Sequence, residues 1–161
     1  MKLPTFLLLL FSLSLAQECP SGAIPNSDST KCFHLIPTKA DFVVADQTCR
    51  LIGGNLASIG NSADNNLIQN MFFQWKLVDE SLTRAWIGGN NLLTYGDWKW
   101  TDGELFDYVG FDSRKPKILG FNCLSIEAGP WMPTECFKKQ PFVCSTKLQK
   151  PANCSASSSH Q

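Results

Sequence analysis

Histidine is nearly missing from this chain: there are two in 161 residues, His34 and His160, one near each end. No Ser, His and Asp set stands in a motif context and no glycine-rich phosphate loop follows a predicted strand, so the sequence argues against an enzyme. His34 follows Phe33 in a predicted strand and reads as structural. A surplus of either charge is also lacking, with 14 basic and 14 acidic residues. Without a basic stripe there is no electrostatic footprint for nucleic acid or for an anionic membrane surface. Closely spaced cysteines are absent too. The nearest pair is Cys136 and Cys144, whereas zinc sites favour cysteines about two to four residues apart, which argues against a metal frame. Finally, no apolar run reaches the roughly 20 residues that a membrane-spanning helix needs.

The longest apolar run comes first. Lys2, an apolar stretch over 6–15 and the small residues of Ser14-Leu15-Ala16 predict a signal peptide over 1–16, cleaved after Ala16. Its removal takes away one base and no acid, leaving 13 against 14. All seven cysteines, at 19, 32, 49, 123, 136, 144 and 154, lie in the remainder. An exported chain meets an oxidising compartment, so they predict disulfides, although counting alone leaves many pairings open.

The remainder is long enough for one domain with a sizeable core. Three of the five tryptophans fall between Trp86 and Trp100, beside Gly88 and Gly89, which marks that stretch as the centre of the core. Over 38–52, Phe42, Ala45, Cys49 and Ile52 recur at helical spacing, with Thr38 as the expected cap and Gly53 as the stop. A second helix is expected from Ser62, with Asp64 in its first turn and a core stripe of Ile68, Met71, Phe72 and Trp75. Residues 84–88 read as a strand, and residues 90–121, rich in Gly and Asn, as a long loop of the kind that usually carries function. Residues 123–126 and 141–144 are expected as the two arms of a final hairpin turning at Gly129-Pro130. The domain is drawn over 17–146. Residues 147–161 have little to bury and read as a polar tail.

Trp86-Ile87-Gly88, the Trp98-Lys99-Trp100-Thr101-Asp102-Gly103 run, Gly53-Gly54-Asn55-Leu56-Ala57-Ser58-Ile59, Pro141-Phe142-Val143 and the cysteines at 49, 123, 136 and 144 together resemble the C-type lectin-like domain. The resemblance covers about 19–144. It implies an α+β fold with two helices, small antiparallel sheets, a long irregular loop that carries the ligand site, and a disulfide frame. It also implies the pairs Cys19 with Cys32, Cys49 with Cys144 and Cys123 with Cys136. In the chain-entropy model the second, closing a loop of ~100 residues, contributes roughly 4 to 5 kcal/mol. Cys154 is left over, available to link two chains, and it sits within Asn153-Cys154-Ser155, a formal N-glycosylation acceptor at Asn153.

Members of that family that bind sugars through calcium carry Glu-Pro-Asn or Gln-Pro-Asp in the long loop, an acid two residues before the hairpin cysteine, and Trp-Asn-Asp before the next cysteine. Here those positions hold Lys115-Pro116-Lys117, Phe121, and Trp131 followed by Met132-Pro133. Calcium takes six to eight oxygen ligands, and ammonium groups in their place oppose it. The resemblance therefore implies a lectin-like module without the calcium site, and no cofactor is expected. Glu104, Asp107 and Asp112 read as solvated loop acids. Lys115, Lys117 and Phe121, with Glu127 on the adjoining hairpin and Arg114 beside the lysines, are the candidate contacts for a glycan or protein ligand; Trp98 and Trp131 belong more readily to the core than to a sugar-stacking platform. Secreted single-domain relatives of this kind are associated with innate defence in invertebrates. The alternative is an extracellular structural protein joined through Cys154.

Overall fold

The computed structural model describes residues 18–110, 120–127 and 129–148. The strands and helices follow as β1 (Ala23–Pro25), β2 (Lys31–Ala40), α1 (Phe42–Leu51), β3 (Gly54–Leu56), α2 (Ser62–Val78), β4 (Ala85–Asn90), β5 (Lys99–Trp100), β6 (Cys123–Ile126), β7 (Met132–Thr134) and β8 (Gln140–Lys147). Rather than separate small antiparallel sheets, the strands join one path, β1-β2-β8-β4-β6-β7, with β3 on β8 and β5 on β4. Every pairing is antiparallel except the step from β4 to β8, where Trp86 lies beside Phe142.

Side chains alternate across a strand, and here both faces are covered. Ile87 and Val143 point to one cluster, which takes Ile68 and Phe72 from α2, Leu124 and Trp131. Their neighbours Trp86 and Phe142 point to the other, which takes Phe42, Ala45 and Cys49 from α1. The Trp86 indole N–H donates to the Ala40 carbonyl at 2.9 Å, and Phe42 meets the Trp86 ring edge-on. Gly88 permits a close backbone approach in this layer: a Cβ there would lie 2.6 Å from the Leu56 carbonyl oxygen.

The α1 start differs from the expected one. Thr38 belongs to β2, whose pairing continues to Ala40 opposite Gln140. Asp41 is the cap. Its carboxylate accepts from the Val44 N–H at 2.9 Å and from Lys139 Nζ at 2.7 Å, and both bonds hold its pKa below the ordinary carboxylate range, the lysine most strongly. Gly53 ends the helix at positive φ, but Ile52 lies beyond the last turn and is exposed. The second helix starts where expected, capped by Asn61; Asp64 also accepts from the Ser27 N–H at 2.7 Å and ties the helix to the β1–β2 turn. Met71 and Trp75 are half-buried against the core that Ile68 and Phe72 enter fully.

The expected final hairpin is not formed. β6 pairs with β7 across Gly129-Pro130, while β8 lies between β2 and β4. Length and burial divide the roles: β7, three residues long, stays at the edge, where Pro133 needs no N–H, and β8, buried over its first six residues, takes the interior position. β8 runs through Lys147, and the Leu148 N–H donates to the Thr30 carbonyl, so the folded part reaches two residues into the stretch read as tail. The structure contains the pairs Cys19–Cys32, Cys49–Cys144 and Cys123–Cys136. Cys49–Cys144 bolts α1 to β8. Residues 1–16, Asn153 and Cys154 lie outside the described residues.

Candidate functional site

The long loop starts where β4 ends at Asn90 and returns at Phe121, and its first half is built from below by aromatic rings. Trp100 on β5 packs on Phe106 at 4.8 Å between centroids and meets Trp131 edge-on at 5.4 Å; Tyr108 meets Trp131 at 5.7 Å, and Trp98 stacks on Phe106 at 6.4 Å. Trp131 is fully buried and its indole N–H donates to Asn65 Oδ1 at 2.7 Å. It is a floor for the loop and is closed to a ligand. Gly110 lies against that floor: a Cβ there would sit 2.4 Å from the Trp131 ring, and its carbonyl accepts from the Trp131 backbone N–H at 3.0 Å.

α2 secures the neighbouring turn. Gln69 accepts from the Gly129 N–H at 3.0 Å and donates back to the Gly129 carbonyl, one helical turn from Asn65. Glu127 pairs with Arg84 at 3.0 Å, each about one-third exposed. Phe121, half-buried, stands before β6 and Glu127 after it. Six steps of extended chain put them ~20 Å apart, so this strand does not bring the two candidates together. Lys115, Lys117, Arg114 and Asp112 lie outside the described residues.

A polar knot that no motif foretells lies on the other side of the loop base. Ser58, fully buried after β3, has its hydroxyl 2.6 Å from Asp102 Oδ2 and 2.9 Å from Glu104 Oε2. Lys31 of β2 donates to Ser58 Oγ at 3.0 Å and to Glu104 at 2.6 Å. Glu104 and Asp107 are both exposed, as expected of loop acids, but Glu104 also reaches inward to Ser58 and Lys31. The turn Asp102-Gly103-Glu104 folds both carboxylates to one side, with the Glu104 N–H donating to Asp102 Oδ1 at 3.0 Å. The spacing of the two acids was legible; their shared partner, 44 residues upstream of Asp102, was not.

His34 on β2 is half-buried, with Nε2 2.8 Å from Thr146 Oγ1, and its loss of hydration lowers its pKa. Chemically, the positions that supply calcium ligands in sugar-binding C-type lectins hold a hydrocarbon ring in Phe121, a thioether in Met132 and a pyrrolidine ring in Pro133. Both β7 residues are committed to pairing with β6. These side chains do not fit a hard cation that takes oxygen ligands. Among the described residues no helix is long and apolar enough to cross a membrane.

Comparison with known proteins bears on this arrangement. A sequence profile of the Lectin C-type domain matches residues 38–146. The galactose-specific lectin nattectin of Thalassophryne nattereri is 32% identical over 135 residues, covering 81% of this chain and 82% of that protein. The type-2 ice-structuring protein of Hemitripterus americanus is 28% identical over 131 residues, covering 79% and 74%. Among solved structures, a calcium-independent type II antifreeze protein superposes with a TM-score of 0.71 at 27% identity, covering 83% of this chain and 98% of that one. Human lithostathine superposes equally well, 0.71, at 24% identity over 81% of this chain and 91% of its own. A human protein in this set removes any restriction of the likeness to invertebrates.

Proposed function

Because this chain belongs to the C-type lectin domain family, we propose that it is a secreted recognition module, not an enzyme, that binds a glycan or protein ligand through its long loop without calcium. The observation that carries the reading is the exchange of donors: Lys115-Pro116-Lys117, Phe121 and Met132-Pro133 stand where the family's calcium-binding members place carboxylates and amides. One relative is named for galactose and one structural neighbour for calcium independence, and both are compatible with a domain whose ligand chemistry has moved while its fold has not.

Secretion is supported by the apolar leader over 1–16 and by three disulfides, which persist in oxidising compartments. Recognition of microbial or host surfaces in innate defence is the role such a module suits. Lys115 and Lys117 supply attraction for an anionic partner such as a sulfated or sialylated glycan, which screening by salt weakens. A glycan array run with calcium and again with EDTA tests the reading. Equal binding in both supports it, and binding only with calcium overturns it. The Lys115→Ala/Lys117→Ala variant should then lose affinity for the array's ligand at unchanged melting temperature; undiminished, salt-insensitive binding would move the site elsewhere.

The seventh cysteine favours a second reading, an oligomer-forming extracellular protein linked through Cys154. A non-reducing gel separates the two: a band at twice the mass, lost with Cys154→Ser, supports linkage.

A further inference from the structure

The helix α1 is apolar on two sides. Phe42, Ala45 and Cys49 enter the core, while Val43, Val44 and Leu51 stand 54%, 44% and 87% exposed, and Ile52, just past the last turn, 47%. Val44, Thr48 and Leu51 recur at i, i+4 and i+7, which sets them in one stripe along the helix. The Thr48 hydroxyl is spent within that stripe, donating to the Val44 carbonyl at 2.8 Å. The helix carries one exposed charge, Arg50, and its Nε is already held by the buried Asp46 at 2.9 Å. Single exposed apolar side chains are ordinary, but a contiguous stripe without a free charge marks a surface that another protein covers.

The stripe is complementary to itself. Short, β-branched valines stand at its start and the longer Leu51 and Ile52 at its end. Two copies laid antiparallel with Val44 against Leu51 also set Val43 against Ile52 and Gln47 against Thr48, so short meets long at both ends. Arg50 of one copy then falls beside residues 45 and 46 of the other, where the charge is the Asp46 carboxylate, and the two helix dipoles oppose each other. No like charges on the two helices face one another in this register.

The length of chain beyond the described residues fits the same occupant. The end of α1 adjoins the end of β8, since Thr146 pairs with Gly54, and Thr146 and Lys147 share a groove with Ile52. Cys154 lies six residues past Leu148, a reach of up to ~20 Å. That exceeds the ~15 Å length of the ten-residue helix, so two copies of Cys154 have chain enough to meet across an axis at the middle of α1. A helix this short covers less than the ~800 Å² per partner of a stable interface. Contact through α1 is therefore weak on its own, and a disulfide, which raises the local concentration of the second copy to about the millimolar range, completes it.

We propose that the outer face of α1 binds the same face of a second copy of this chain, the two helices antiparallel with Val44 against Leu51. The proposal rests on the oligomer reading above for its occupant and adds the surface that reading lacks.

The test is sedimentation equilibrium of the full secreted chain and of its Cys154→Ser variant, from ~10 μM to ~1 mM. The variant is expected to dimerise reversibly within this range. Adding Leu51→Glu places a carboxylate in an apolar contact and should weaken that dimer at least about tenfold, with the monomer's melting temperature unchanged because Leu51 is exposed. Phe73→Glu, the same change on the exposed side of α2, should leave association as it was. Val44→Lys combined with Leu51→Glu in one chain should recover the dimer that either change alone weakens, because position 44 meets position 51 only in the antiparallel register. Monomer at every concentration overturns the proposal, as does a dimer indifferent to Leu51→Glu or a double variant that recovers nothing. The two readings fail separately: a linked native dimer whose yield ignores Leu51→Glu keeps the Cys154 linkage and overturns this surface, whereas a reversible Cys154→Ser dimer from a chain that never links supports this surface without the linkage.

Discussion

Residues 85–90 and 91–110 are consecutive in the chain and opposite in how they are held. β4 is fixed by backbone pairing with β5, β6 and β8, and its side chains have no room to change: Trp86 and Ile87 are fully buried, and Gly88 faces a carbonyl. The segment that follows is held mainly by side chains pressed beneath it, the rings of Trp100, Phe106 and Tyr108 on Trp131, and by the Ser58 contacts of Asp102 and Glu104. Its outward residues, Leu93, Leu105 and Asp107, touch little. One region specifies the fold and the other can change its surface without refolding the domain, which is how a common scaffold takes on different ligands.

The comparison breaks hardest at the bolt of the rigid region. Replacing Cys49 and Cys144 by Ala opens a loop spanning 95 residues and should cost roughly 4 to 5 kcal/mol, read in denaturant melts. The Cys123/Cys136 pair, with a separation of 13, should cost about 3 kcal/mol by the same model. In the loop, Gly110→Ala forces a methyl into the Trp131 ring and should cost about 1 to 3 kcal/mol, whereas Asp107→Ala on the outside should stay within about 0.5 kcal/mol. If the two cost the same, the loop is not seated on its rings.

A smaller effect sharpens the boundary of the rigid half. Asp41→Ala removes the α1 cap and its bond to Lys139, for about 1 kcal/mol of stability, with Thr38→Ala nearly silent. His34 gives the smallest. Burial depresses its folded pKa, so the unfolded chain takes up the proton first. Stability is full above the ordinary histidine value and declines as pH falls through it, a downward drift in melting temperature between about pH 7 and 5.5 that His34→Gln should remove.

How legible this was follows the same division. The β4 glycines, the α2 stripe of Ile68 and Phe72 and the buried Cys49 were readable because local periodicity and crowding decide them. The start of α1 was misplaced because Thr38 and Asp41 are both acceptable caps; the pairing of Ala40 with Gln140, 100 residues away, keeps Thr38 in a strand. Pairing β6 with residues 141–144 followed sequence proximity, and the apolar demand of the sheet interior overruled it. Of the candidate ligand contacts, Glu127 turned out to be paired with Arg84 and remote along β6 from Phe121, because a charge in a sequence does not disclose its partner.

The central claim, that recognition here has separated from calcium, is tested most directly by a melting curve of the mature chain in millimolar calcium and again in EDTA. A cation that bound only the folded state at a hundredfold excess over its dissociation constant would add about 2.7 kcal/mol. The account predicts superimposable curves. A melting temperature several degrees higher in calcium would contradict it and return the long loop to the chemistry of the family's calcium-binding members.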